Sequence, residues 1–245
     1  MRSIDRCAQT NRWRRWPTAE KLVFALGMMA VALFATSWTI ELIVIAIMLG
    51  VAHFGAGIAL RDLWHAALVP LGFIALSTLA QAVTLGGQGG IGIAPSDTLA
   101  HALFTGVRST ACVMALLFLA LTTPLTSILA VFRRLGLSKD LADIALLMFR
   151  LIWLLLDCLD AGRRSQTARH GHEGWRRTVK SNGMLLASLL PRALGRAERL
   201  NAGLAARGFD GDLRFISIEH PINRMRLLGV LLLVASFAAL APWMA

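Results

Sequence analysis

Charge is scarce in this chain. Only 16% of its 245 residues are Asp, Glu, Lys or Arg, against about 25% in an ordinary soluble domain. The charge present leans one way, with 25 Lys and Arg against 14 Asp and Glu. Cysteine is sparse as well. Cys7, Cys112 and Cys158 are scattered and form no CxxC pair, which excludes a disulfide framework or a thiolate zinc site and leaves them as small packing residues. The first apolar run has no small-residue cleavage site and leads almost directly into a second, so it does not read as a removable signal. The glycine-rich stretch Gly86-Gly87-Gln88-Gly89-Gly90 lacks the GK[ST] ending that places a lysine and a magnesium ligand on phosphates. These shortages exclude a plain soluble enzyme, a disordered chain and a disulfide scaffold.

What fills the chain is apolar: 56% of it is hydrophobic. A spanning helix needs about 20 largely apolar residues. Five stretches qualify: Lys21 to Thr36, Ile40 to Leu60, His65 to Leu85, Leu99 to Leu121 and Leu227 to Met244. The first two are joined by Ser37-Trp38-Thr39, a hairpin-length turn with an aromatic at the interface. A sixth stretch, Leu141 to Leu159, contains Asp143, Arg150 and Asp157 and runs on into Arg163-Arg164. Each charge near a bilayer centre costs about 2.5–3.5 kcal/mol. The stretch therefore reads as a long helix packed within the protein or along the interface, with six spans as the alternative count. The expected fold is an all-α integral membrane protein with about five transmembrane helices and two long cytoplasmic helices. Residues 1–136 hold the first four spans and a connecting helix, 137–220 the cytoplasmic helices, and 221–245 the last span.

Orientation follows from the basic residues. Six lie in the flank ending at Lys21, which includes Arg12-Trp13-Arg14-Arg15-Trp16. The turn at Ser37-Trp38-Thr39 and the loop from Gly86 to Asp97 hold none. Arg61, beside Asp62, marks a short link. Nearly all the rest lie between the fourth and fifth spans. The positive-inside rule then places the N-terminus and that long stretch in the cytoplasm.

Between Ala161 and Arg226 lie 13 basic and 5 acidic residues, so this block supplies +8 of the +11 net charge. Leu190, Leu194, Ala197, Leu200 and Leu204 recur at helical spacing, and Arg192, Arg196, Arg199 and Arg207 follow the same rhythm. A period of 3.6 makes one apolar stripe and one arginine stripe. Gly208 ends the helix by accepting positive φ. Such a surface suits anionic lipid headgroups or a protein partner whose groove takes the apolar stripe and whose acids meet the arginines. No aromatic-interleaved platform accompanies the arginines, which argues against nucleic acid. Residue physics leaves lipid and protein level. The block also contains a repeated element, Ala168-Arg169-His170-Gly171 and, 38 residues later, Ala206-Arg207-Gly208. An arginine flanked by small residues at a helix end projects unobstructed into a neighbouring groove.

Arg196-Ala197-Glu198-Arg199-Leu200 followed by Ala206-Arg207-Gly208-Phe209-Asp210-Gly211 resembles the second signature of the transmembrane T component of energy-coupling factor (ECF) importers, above all that of cobalt importers. Thr122-Thr123-Pro124, Phe132-Arg133-Arg134-Leu135-Gly136, Leu147-Met148-Phe149-Arg150 and Leu155-Leu156-Asp157 are similar to the family's middle region, and Pro17 to Leu22 to its opening. The resemblance implies a scaffold whose two coupling helices each dock in a groove on one of two ABC ATPases. The docking elements carried over by position are Ala168-Arg169-His170 and Ala206-Arg207-Gly208, with Arg196, Glu198 and Arg199 supporting the second. In the first, His170 stands where a small residue is expected and Gly171 follows one place late. The implied partners are the two ATPases, which carry ATP and magnesium, a cobalt-binding membrane S component with or without a small accessory membrane subunit, and the lipid bilayer. No cofactor is expected on this chain, no catalysis, and no nucleic acid. The implied location is the bacterial inner membrane.

One metal candidate remains, His170 and His172 with Glu173; two imidazoles and a carboxylate suit a transition ion. An exposed polar turn between helices is the preferred reading, and no metal is assigned. His53, His65, His101 and His220 stand alone. The alternatives are a T component for nickel, biotin or another vitamin, an intramembrane enzyme, and a membrane-tethered nucleic-acid binder. The enzyme would need converging ionisable groups, and Glu41, His53, His101 and Arg108 form no evident cluster in the sequence.

Overall fold

A computed structural model describes residues 7–85, 91–93, 96–171, 173–208 and 224–240. The chain divides into two compact units, residues 1–131 with 218–245, and residues 132–217.

The first unit is a helical bundle. Helix α1 spans Thr18–Phe34 and α2 spans Trp38–Gly50, continuing through a π-helical turn at Val51–Gly55. Helix α3 spans Leu60–Ala82, α4 Ser96–Thr122, α5 Leu125–Arg134 and α8 Arg224–Leu240. Helix α4 is the central element, packing against α1, α2 and α3, while α8 packs on α1. Its inward positions Ala111, Ala115 and Phe118 are fully buried, at spacings of four and three that keep them on one face. Alanine there lets neighbouring backbones approach closely, as membrane helix packing requires. Met28 and Val31 of α1 and Ile40, Val44 and Met48 of α2 complete the core. The outside is apolar too: Leu68, Val69, Phe73, Leu76 and Leu79 of α3 are all more than half exposed. A helix greasy on its outer face has lipid for a solvent.

The hydroxyls of Thr78, Thr105, Ser109, Thr110 and Thr122 each donate to the carbonyl four residues earlier, so these five satisfy their donors within their own helices.

Among the described residues three helical stretches are long and apolar enough to cross a membrane: Trp38–Gly55, Leu60–Ala82 and Asp97–Thr122. Helices α1 and α8 have 17 residues each, at the lower limit for spanning. The stretch expected to resist insertion is one uninterrupted helix, α6 at Lys139–Ala168, and is not among the long apolar ones.

Several expected boundaries move. The turn after the first span is Ala35 to Ser37, with Trp38 already in α2. Arg61 and Asp62 lie in the first turn of α3 rather than in a link. The third helix stops at Ala82, because Val83–Leu85 (β1) pairs antiparallel with Ile91–Ile93 (β2) in a short hairpin. The glycine-rich stretch from Gly86 to Gly90 lies outside the described residues.

The second unit is built on α6 and α7, Trp175–Ala205, which pack together. Gly162 permits their contact, since a Cβ there would come within 2.6 Å of Leu185 Cδ2. Leu185 and Ser181 are the buried residues of α7, and the Ser181 hydroxyl donates to the Gly171 carbonyl at 2.8 Å.

Candidate functional site

Both Ala-Arg elements are helix C-terminal caps, and they are built alike. At the end of α6 the amide of Arg169 donates to Gln166 O at 3.1 Å and that of His170 to Thr167 O at 3.1 Å. At the end of α7 the amide of Arg207 donates to Leu204 O at 3.0 Å and that of Gly208 to Ala205 O at 3.1 Å. The chain then turns left-handed at the next position in each, His170 with φ 55° and Gly208 with φ 72°. A left-handed residue after the last turn is how a helix satisfies its final carbonyls and stops. In the first cap Gly171 N also donates to Gln166 O at 2.8 Å, completing a Schellman motif.

His170 thus occupies the conformation that Gly208 occupies, and the cap is unchanged by it. Gly171 is glycine for a different reason. It is buried, and a Cβ on it would lie 3.0 Å from the Gln166 carbonyl and 3.1 Å from Ser181 Oγ. The small residue one place late belongs to α6–α7 packing.

Ala168, Arg169 and His170 are exposed, as are Ala206, Arg207 and Gly208. Arg196, Glu198 and Arg199 line the outside of α7's last turns, all exposed. Among the described residues none of these five charged side chains forms an ion pair. The apolar stripe is uncovered as well, with Leu190 66% and Leu194 57% exposed. Because Gly171 lies against Ser181, the two caps are separated by the helix from Ser181 to Ala205, ~36 Å at 1.5 Å per residue. The unit offers two similar arginine knobs, one at the C-terminus of α6 and one at the C-terminus of α7.

His170 Nδ1 contacts Glu173 Oε1 at 2.6 Å, and Arg177 pairs with the same carboxylate at 3.7 Å. His172 lies outside the described residues, and no group of three metal-ligating side chains occurs among the described ones.

The chain matches the family model of the CbiQ cobalt transport protein over residues 9–216. It is 37% identical to the cobalt transport protein CbiQ of Rhodobacter capsulatus, over 94% of this chain and 93% of that protein. The chain belongs to the CbiQ cobalt transport protein family. Within it, CbiQ of Salmonella typhimurium is 26% identical over 86% of this chain and 99% of its own length. A fused cobalt transport protein, CbiMQ, of Methanocorpusculum labreanum is 27% identical over 52% of this chain and 21% of its own length. This CbiQ-family chain is a membrane component of cobalt transport, and the relatives just described are transport proteins by name.

Two constellations in the first unit were invisible to spacing. Glu41 and Arg108 pair across α2 and α4, with Arg108 Nε 3.4 Å from Glu41 Oε1. That corrects the expectation of no cluster among the intramembrane ionisable residues. The guanidinium also donates to the Ala35 carbonyl and lies 4.6 Å from the centre of the Phe104 ring. Glu41 is fully buried, so this is a structural clamp of the kind that permits charge inside a membrane protein. His53 and His101 take no part in it; His53 Nδ1 lies 3.0 Å from the Ile58 carbonyl. The second constellation is Asn11 and Lys21, both at the end of α4.

Proposed function

We propose that this chain is the transmembrane coupling (T) subunit of an ECF-type ABC importer for cobalt ions. It carries ATP-driven motion from two cytoplasmic ATPases to a separate substrate-binding S component. The observation that carries this reading is the pair of similarly capped, exposed arginine knobs, one ending α6 and the other ending α7. Two similar docking points on a packed pair of helices suit two similar motor subunits. Among the described residues Arg169 and Arg207 pair with no acid, and a partner groove lined with carboxylates would supply one.

In this reading the second unit is cytoplasmic, the N-terminus lies on the same side, and the host membrane is the bacterial inner membrane. ATP and magnesium belong to the ATPases, and this chain carries out no catalysis. The membrane partner meets the first unit, where α3 and α4 leave an apolar groove of about 520 Å³ lined by Ile74, Thr78, Leu103 and Gly106 among others. A relative named as a fused cobalt transport protein, CbiMQ, supports a further cobalt transport component working beside this chain.

The test is purification of the tagged chain from its own membranes in mild detergent, with identification of what accompanies it. Proteins bearing Walker motifs and a further membrane subunit are expected, together with ATP-dependent cobalt uptake by the reconstituted assembly. A chain that comes out without any ATPase would refute the proposal.

A further inference from the structure

The end of α4 is held by side chains about a hundred residues away. Pro124 has no N–H, and the helix restarts beyond it as α5, with Ser127 and Ile128 amides turned to the Pro124 carbonyl. The carbonyls of Leu121 and Thr122 therefore lose the donors a continuing helix would have supplied. Asn11 and Lys21 replace them. Lys21 Nζ donates to Thr122 O at 3.1 Å, and Asn11 Nδ2 lies 3.1 Å from Leu121 O and 3.2 Å from Thr122 O. The same amide reaches Cys7 O and Ala8 O of its own segment at 3.1 and 3.0 Å. Lys21 is only 2% exposed. A cation has its most favourable place at a helix C-terminus, where the last carbonyls carry the negative end of the dipole.

The segment bearing Asn11 is itself pinned on several sides. Arg12 N donates to Ala56 O at 3.1 Å, between α2 and α3. Trp13 lies over Gly55 so closely that a Cβ there would come within 2.8 Å of its ring. Trp13 meets Phe118 of α4 edge-on at 5.9 Å and stacks on Trp16 at 4.3 Å. Trp16 in turn receives Arg226 of α8 at 5.1 Å. One short segment thus gathers the ends of α2, α4 and α8.

What makes the location consequential is the chain path. The backbone leaves this clamp at Thr122 and enters the second unit at residue 132. The chain joins the two units twice, here and again at residues 217–218, and the connection beyond Thr122 is the one that begins at this clamp. We infer that Asn11 and Lys21 are positioning residues for transmission: by fixing the end of α4 they make the bundle move with the coupling helices. This rests on the proposed coupling function. A free end would absorb the motion in local bending at Thr123-Pro124 while ATP hydrolysis continued.

The experiment uses the complete transporter, purified through this chain and assayed both for ATP hydrolysis and for uptake of radioactive cobalt(II) into proteoliposomes. The variants are Asn11→Ala, Lys21→Met and Lys21→Arg. In the first two, the ATPases should co-purify in wild-type amounts and hydrolysis should stay within about twofold. Cobalt taken up per ATP hydrolysed should fall tenfold or more in Lys21→Met, less in Asn11→Ala, and recover in Lys21→Arg. An unchanged ratio in both would overturn the inference. Loss of bound ATPase, or loss of the protein from the membrane in both, would also overturn it, since the residues would then serve assembly alone. A wild-type chain that brings down no ATPase defeats the coupling function instead, so the two failures are told apart.

Discussion

Arg108 shows how a single charge is made tolerable inside an apolar bundle. Its guanidinium is shared among Glu41, the Ala35 carbonyl and the face of Phe104, so removing it leaves the fully buried Glu41 without its cation. Breaking such a pair from one side costs about 3–5 kcal/mol, whereas replacing both partners by apolar residues is often neutral. Arg108→Leu should therefore lower the melting temperature in detergent sharply, and Glu41→Leu combined with Arg108→Leu should recover most of the loss. A double variant as unstable as the single would contradict the pairing. At the first arginine cap the cost lies in the backbone. His170 adopts φ 55°, which costs a side-chain-bearing residue about 1–2 kcal/mol, while its contact with Glu173 is exposed and worth little. His170→Gly should stabilise the purified chain by about 1 kcal/mol in a thermal melt and leave uptake intact; a fall in stability would show that the Glu173 contact outweighs the strain. Legibility in the sequence divides along the same line. Ala168-Arg169 and Ala206-Arg207-Gly208 were readable because a cap is local. Glu41 with Arg108, and Lys21 with Thr122, were not, because nothing in a linear pattern brings together residues 67 and 101 positions apart.

At the scale of elements, apolar runs and charge counts sufficed for the long helices, since length and hydropathy alone decide what a bilayer accepts. They did not foretell where helices stop. Helix α3 ends three residues early because β-branched Val83 and Thr84 enter a hairpin with Ile91–Ile93, and short strands of three residues leave no periodicity to read. The π-helical turn at Val51–Gly55 is likewise an insertion into a helical pattern, not a break in it. The pairing of α6 with α7 was also hidden, because it depends on one missing side chain. Gly162 lies against Leu185, where an added Cβ would come within 2.6 Å of Cδ2. Gly162→Val forces the two helices apart or Leu185 out of its rotamer, an overpacking that costs about 1–3 kcal/mol. The expected result is faster proteolysis between the two helices and reduced uptake, with partial rescue by Leu185→Ala, which clears the space. Equal protease resistance in Gly162→Val and wild type would show that the helices do not pack through this point.

For the whole molecule, charge and grease separate: an apolar bundle suited to lipid, and a second unit in which Arg169 and Arg207 are exposed and, in the proposed coupling role, meet partners. One knob ends α6 beside Ser181 of α7 and the other ends α7; they share one hydrogen-bond pattern, Arg169 N to Gln166 O and Arg207 N to Leu204 O, so each should hold one ATPase by similar contacts. That has a consequence in counted subunits. Truncating a desolvated interfacial arginine costs about 2–5 kcal/mol, a factor of 30 or more in affinity. Arg169→Ala alone should leave one ATPase bound, Arg207→Ala alone should leave one, and the double variant should leave none, while the chain itself stays in the membrane. Native mass spectrometry of the purified assemblies reads these stoichiometries directly. Uptake should vanish in all three, because motion delivered to one end of α7 without its counterpart at the other produces no relative displacement to pass on. Two ATPases retained in the double variant would place the docking contacts elsewhere, on the exposed Leu190 and Leu194 stripe. Loss of both from a single variant would mean that the ATPases bind as a preformed pair, with the two arginines acting as one site.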